Sequence, residues 1–227
     1  MIYIISDIHG HYDKYIEALK VINFTSEDTL YILGDILDRG EHGIKILQDI
    51  MYKTNIIPIL GNHEFMALNV FESLINKNKK SSKLSNDSLE NLNIWLEEGG
   101  QPTFDSFMEL EEHKRFEIID FIENFEVYRE ITVNNKTYFL VHAGLNNFDE
   151  NRDISDYFLH EFIFGRTDYN SIYFKDKILV TGHTPTRLIS NEDKIYKNKN
   201  HLAIDCACGF GGNLAVYCLD NDKEYYI

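Results

Sequence analysis

Of the nine histidines in this chain, four share one setting. His9, His63, His142 and His183 each stand at the end of a short apolar run and within two residues of a glycine. Asp7, Asp35 and Asn62 fall in the same clusters. Burying such groups unpaired is costly, so packing alone does not account for them. Carboxylate, imidazole and amide oxygen together suit first-row divalent metals. These residues exceed what one ion needs. Two ions sharing a carboxylate fit better, the arrangement used for in-line displacement at phosphorus. No thiolate belongs to the set, which argues against a purely structural zinc site. Two residues of Gly34-Asp35-Ile36-Leu37-Asp38-Arg39-Gly40 remain. Arg39 can grip a phosphate bidentately, and Asp38 can orient a histidine. The residues by themselves point to a two-metal phosphoesterase. The other histidines, His11, His42, His113, His160 and His201, read as surface or packing residues.

Such clusters need rigid elements to aim them. Apolar runs at 2–6, 29–33 and 55–60 read as strands, and helical spacing follows at 12–22, about 42–51 and 64–75. This β-α-β-α-β-α order predicts parallel strands with covering helices, with ligands at the carboxyl edge. Gly61 permits the sharp turn from the third strand into Asn62-His63-Glu64. The polar, Lys-, Ser- and Asn-rich stretch 77–88 reads as a mobile loop. Helices are expected at 88–97 and 111–124, broken by Gly99-Gly100-Gln101-Pro102, so that 77–124 forms a helical insert beside the strand ends. Strands at 127–133 and 137–141 flank an Asn134-Asn135 hairpin turn. Further strands are expected at 178–181, 187–190, 194–196, 202–205, 214–219 and 224–227, making a second, mainly antiparallel sheet.

The 227 residues are enough for one substantial core, and 44% are hydrophobic, which excludes a disordered chain. The formal charge of −15 disfavours nucleic acid and an anionic membrane surface as partners. It leaves phosphate substrates open, because bound cations reverse the local field. No signal peptide or membrane-length apolar run is evident, and Cys206, Cys208 and Cys218 read as reduced, packed thiols. A cytoplasmic location is the corresponding expectation.

The blocks Asp7-Ile8-His9-Gly10, Gly34 to Gly40, Gly61-Asn62-His63-Glu64, His142-Ala143-Gly144 and Gly182-His183-Thr184 occur in the order and spacing of a known family. In them the chain resembles the phosphoprotein phosphatase branch of the calcineurin-like metallophosphoesterases, over residues 6–213. Trp95 to Phe107 and Ile204 to Leu214 look most like its small bacterial and phage-type members. The resemblance implies a single domain of mixed α/β class, with two central β-sheets packed as a sandwich and flanked by helices. It implies two divalent ions, manganese first and iron or zinc as alternatives. Asp7, His9 and Asp35 would hold one ion, and Asp35 would bridge to a second held by Asn62, His142 and His183. A hydroxide between them would attack phosphorus. Arg39 and Arg166, with Asn62, would hold the phosphate, and His63, oriented by Asp38, would protonate the leaving oxygen. The family usually has Trp two residues before the second arginine, where this chain has Phe164. Many relatives have Pro after the Asp-Arg-Gly triplet, where this chain has Glu41.

The resemblance implies a serine/threonine or dual-specificity protein phosphatase acting on a phosphorylated protein or peptide; the oligomeric state is left open, and a monomer is compatible with it. The alternative is a dinucleoside polyphosphate hydrolase of the diadenosine tetraphosphate type, a sister group with nearly the same metal motifs. Its members often have Ala where this chain has Asp38 and Asp where it has Glu64. A non-catalytic phosphate-binding protein would need a broken ligand set, and every ligand position here is filled.

Overall fold

The computed structural model describes residues 1–80 and 85–227, with the backbone alone for 76–80. The first third alternates β1 (Ile2–Ile5), α1 (Tyr12–Val21), β2 (Thr29–Leu33), α2 (Gly43–Ile50), β3 (Ile56–Ile59) and α3 (Asn62–Lys80). The insert follows as α4 (Asn86–Trp95), a π-helical turn (Leu96–Gly100), α5 (Gln101–Glu109) and α6 (Glu112–Glu123). The remainder holds β4 (Tyr128–Val133), β5 (Lys136–Val141), α7 (Leu159–Ile163), β6 (Lys177–Thr181), α8 (Arg187–Ser190), β7 (Tyr196–Asn198), β8 (His201–Ala203), β9 (Ala215–Cys218) and β10 (Glu224–Tyr226).

Two five-stranded sheets result, ordered β10-β9-β1-β2-β3 and β4-β5-β6-β8-β7. In the first, β1, β2 and β3 are parallel, as the helical crossovers between them require. Alternation along these strands makes the sandwich. Ile4, Tyr31, Leu33 and Ile59 point inward against Tyr138, Leu140, Val180 and Leu202 of the second sheet. Tyr3, Ile5, Leu30 and Ile32 point the other way, into a core shared with the helices. The far face of the second sheet buries Phe139, Val141 and Leu179 against Phe162 and Ile163 of α7.

Several boundaries differ from expectation. The second sheet is mixed: β5–β6 and β6–β8 are parallel, while β4–β5 and β7–β8 are antiparallel. The connection from β5 to β6 is long enough to carry a crossover. The last two strands complete the first sheet instead, β9 antiparallel to β1 and β10 antiparallel to β9. The expected strand at 187–190 is helix α8: Pro185 starts the turn, its carbonyl accepts from Leu188, and left-handed Asn191 ends it. The strand expected at 194–196 lies at β7. Helix α5 occupies the stretch read as a break, because Pro102 sits in its first turn, where its missing N–H costs nothing. Helix α3 continues through Lys80, so 77–80 are not loop, α4 already begins at Asn86, and 81–84 lie outside the described residues. All three cysteines are free and buried, and no helix among the described residues is long and apolar enough to cross a membrane.

Candidate metal centre and phosphate pocket

The candidate residues stand just beyond the carboxyl ends of strands from both sheets. Asp7 and His9 follow β1, Asp35, Asp38 and Arg39 follow β2, and Asn62 and His63 open α3 after β3. His142 follows β5 and His183 follows β6. Backbone bonds lace these turns together: His9 N–H donates to Asp35 O (2.9 Å), Gly40 N–H to His9 O (3.0 Å), and Gly182 N–H to His142 O (2.7 Å). Asp7, His9, Asp35, Asp38, Arg39 and His183 all have left-handed backbone, with φ between 46° and 71°. Such conformations cost free energy in residues with a side chain and cluster where function requires a geometry.

Asp35 is common to two groups of donors. Its carboxylate lies with His9 and His63 in one, and with His142 and His183 in the other, the donor atoms of each group within 4.8 Å of one another. Asp35 Oδ2 is 3.6 Å from His9 Nε2, and Oδ1 is 3.3 Å from His142 Nε2. Asn62 Oδ1 lies 2.9 Å from both His142 Nε2 and His183 Nδ1. Asp7 belongs to neither group; both its carboxylate oxygens accept from the His183 N–H, at 3.1 and 3.0 Å. The expected set Asp7–His9–Asp35 is therefore assembled less closely than the set around Asn62.

The donor chemistry fits divalent ions. His9 Nδ1 donates to Leu37 O (2.9 Å) and His142 Nδ1 to Leu33 O (2.7 Å), which fixes each tautomer and leaves the Nε2 lone pair facing the site. Acceptor then faces acceptor: His142 Nε2, Asn62 Oδ1 and Asp35 Oδ1 converge with no hydrogen between them. That convergence is repulsive by itself and favourable around a cation. Burial holds His9 and His142 below the ordinary histidine range and, with neighbouring His142, lowers His183 to about 3, so all three imidazoles are neutral. Burial, then repulsion from Asp205 and Asp35, pushes the Asp7 carboxyl well up. Burial likewise raises Glu64 and Asp205 to about 7. A dication would relieve this crowding of buried carboxyls.

His63 and Asp38 form a buried pair, Nδ1 donating to Oδ2 at 2.6 Å. Burial alone would lower the His63 pKa, but the Asp35 and Asp38 carboxylates outweigh it and raise it above the ordinary value. Nε2 of His63 lies 3.2 Å from the Arg39 guanidinium, whose other nitrogen donates to His9 Nε2 at 2.6 Å. Arg39 also lies 4.2 Å from the ring centre of Phe210. These groups open on a cavity of about 400 Å³ lined by Asp35, Arg39, Asn62, His63, Arg166 and His183, together with Glu98, Arg187 and Phe210. Arg166 is exposed and lines this cavity. A larger depression of about 550 Å³, beside Phe148, Arg152 and Tyr173, contains none of the candidate residues.

Sequence reasoning missed several supports. Glu64 is fully buried, and its two oxygens accept from the N–H groups of Asp35, Ile36, Leu37 and Gly61 at 2.8–3.2 Å. Its position in the first turn of α3 was the available signal. Thr103, Gly99 and Trp95 of the insert bind Asp38 and Arg39. All three fall in the Trp95 to Phe107 segment that carries the family resemblance, but nothing local in the sequence marks these bonds. Asp205, buried after β8, accepts from the Ala207 N–H at 2.8 Å.

A family model for calcineurin-like phosphoesterases matches residues 1–218, and the chain belongs to that family. Over 85 residues it is 40% identical to the symmetrical bis(5'-nucleosyl)-tetraphosphatase of Wigglesworthia glossinidia brevipalpis, covering 37% of this chain and 31% of that relative. The Salmonella typhimurium protein of the same name is 36% identical over 85 residues, 37% of this chain and 30% of that relative. The matches thus span under a third of those relatives' length. Among solved structures, a candidate diadenosine tetraphosphatase superposes with a TM-score of 0.69 at 15% identity, covering 100% of this chain and 92% of that one. A cold-active protein-tyrosine phosphatase of a psychrophilic Shewanella gives 0.54 at 16% identity, covering 99% and 79%. At these identities the structures show the shared fold, a pair of mixed sheets flanked by helices.

Proposed function

We propose that the chain is a metal-dependent phosphohydrolase whose built-in proton donor suits phosphomonoesters with poor leaving groups, phosphoserine and phosphothreonine in proteins being the first class. The observation that carries this reading is the buried His63–Asp38 pair, bonded at 2.6 Å, with His63 Nε2 facing the cavity beside Arg39. A serine or threonine alkoxide is a far stronger base than a released nucleotide, so it gains much more from an acid placed at the leaving oxygen.

Asp35 would be shared by two divalent ions, with His9 and Asp7 on one side and Asn62, His142 and His183 on the other. Manganese is the first choice, and iron and zinc suit the same donors. Bound there, the ions would supply Lewis acidity at phosphoryl oxygens and a nucleophilic water near neutral pH. Arg39 and Arg166 would hold the phosphate and offset its charge. In the arrangement seen, the guanidinium donates toward His63 Nε2, so that nitrogen carries no proton. A phosphate that draws Arg39 away would free Nε2 to take one, and the raised pKa of His63 favours its doing so.

A second reading is hydrolysis of dinucleoside tetraphosphates. The named relatives favour it over the first, and it is also supported by three arginines, Arg39, Arg166 and Arg187, around one cavity. The residue pair that opposes it is Asp38 with His63, which a phosphoanhydride needs less. A side-by-side assay of the Mn²⁺-loaded protein separates the two, with phosphoserine/phosphothreonine peptides, a phosphotyrosine peptide and diadenosine tetraphosphate as substrates. The first reading requires kcat/KM at least tenfold higher for the peptides, about 1.4 kcal/mol in transition-state binding. The reverse preference would establish the second.

A further inference from the structure

We infer that Trp95 is a positioning residue for the proton donor, and that the helical insert acts as a clamp on the Asp38–Arg39 corner. The inference rests on the reading of His63 as the general acid.

Asp38 is fully buried, and a single carboxylate oxygen does all of its side-chain bonding. Oδ2 accepts from His63 Nδ1 at 2.6 Å and from Trp95 Nε1 at 2.7 Å, while the buried Oδ1 has no partner among the described residues. With only His63 attached, the carboxylate could turn about its last torsion and carry the ring with it, because that torsion is soft. The indole N–H supplies the second point that stops this rotation. It is itself fixed: Trp95 is fully buried, meets Phe71 edge-on at 5.6 Å, and lies so close to Gly100 that a Cβ there would fall 2.5 Å from the indole ring.

The same insert holds the backbone of the corner. Asp38 N–H donates to Thr103 Oγ1 at 2.9 Å, and Arg39 N–H donates to Gly99 O at 2.9 Å. The two donors, Asp38 and Arg39, both stand in left-handed conformation, φ 71° and 65°. Gly99 meets Arg39 from the π-helical turn with φ 101°. The insert thus supplies three bonds to two adjacent residues whose backbone would otherwise relax. Its contribution to the reaction is orientation: it directs His63 Nε2 at the leaving oxygen without touching substrate.

The test is leaving-group dependence in Trp95→Phe, which keeps an aromatic ring and deletes the donor. Trp95 is the only tryptophan in the chain, so its global replacement by the benzothiophene analogue, nearly the same shape without the N–H, covers the case in which Trp95→Phe fails to fold. With the metal-loaded proteins, kcat on phenyl phosphate is expected to fall roughly tenfold, the scale of losing one hydrogen bond to a charged group. Turnover of p-nitrophenyl phosphate, whose nitrophenolate leaves without a proton, should stay within about twofold, and KM for both should be unchanged. Equal losses on both substrates, or no loss on either, would overturn the assignment. His63→Asn run in parallel separates the two levels. If it is leaving-group-dependent while both Trp95 replacements are not, only the role of Trp95 fails; if it too is flat, the general-acid reading beneath it fails.

Discussion

At Asn62 Oδ1 two imidazole nitrogens stand at 2.9 Å, and the Asp35 carboxylate is 3.3 Å from one of them. Groups so arranged give Asp35 its central place, since among the described residues it alone belongs to both donor groups. Asp35→Asn keeps the shape and removes the charge that two cations would share. Its kcat on p-nitrophenyl phosphate is expected to fall roughly 10²–10³-fold, the scale of losing one preorganised electrostatic group, with metal content dropping below two per chain. Near-normal turnover with both ions retained would remove Asp35 from the bridging position. These residues were legible in the sequence because each strand end carries its own Asp, Asn or His close to a glycine. Trp95 was not, because its bond to Asp38 spans 57 positions and only the folded insert brings the two together. The left-handed backbone at Asp38 and Arg39 was equally hidden, since neither residue type demands it.

The strand-to-helix corners hold these residues in place, and Glu64 joins two of them. Its carboxylate spans the start of α3 and the turn after β2, accepting from four backbone N–H groups. Glu64→Gln turns one acceptor into a donor facing donors. It is expected to destabilise the fold by about 2–4 kcal/mol, read from urea unfolding, because buried N–H groups lose their partner. An unchanged midpoint would mean that Glu64 is dispensable to the corner. In β8, His201 is buried against Tyr169, and its Nε2 lies 2.9 Å from the Thr181 hydroxyl oxygen. Burial lowers its pKa to about 4. Between the ordinary 6.5 and 4 the unfolded chain takes up the proton and the folded chain does not, so stability falls as pH drops through that window. The loss amounts to ~3 kcal/mol at pH 4, and His201→Gln should show a correspondingly flatter stability profile. Parallel slopes for the two proteins would rule out His201 as the titrating group. At this scale the first three strands and helices could be read from apolar period and punctuation. The later elements could not. Short stretches such as Arg187–Ser190, with only Leu188 and Ile189 apolar, satisfy strand and helix alike, and the turn in which the Pro185 carbonyl accepts from Leu188 decides for helix.

Both sheets of the whole molecule converge on one edge, so the candidate centre forms only when the sandwich closes. Asp7, Asp35 and Asn62 come from the first sheet, and His142 and His183 from the second. The sandwich itself was foreseeable from the family resemblance, whereas the exchange of β9 and β10 into the first sheet was not, because strand partners at that distance leave no local mark. The closure has a thermodynamic consequence: ions that bind only the folded pair of sheets must stabilise it, by about 2.7 kcal/mol at a free concentration one hundred times Kd. The most direct test of the account is a titration of the metal-free protein with Mn²⁺, following p-nitrophenyl phosphate hydrolysis and bound metal together. The account predicts negligible turnover without metal, activity that reaches its plateau at two ions per chain, and a thermal midpoint that rises in step. Full activity in the metal-free protein, or no turnover with two ions bound, would contradict it.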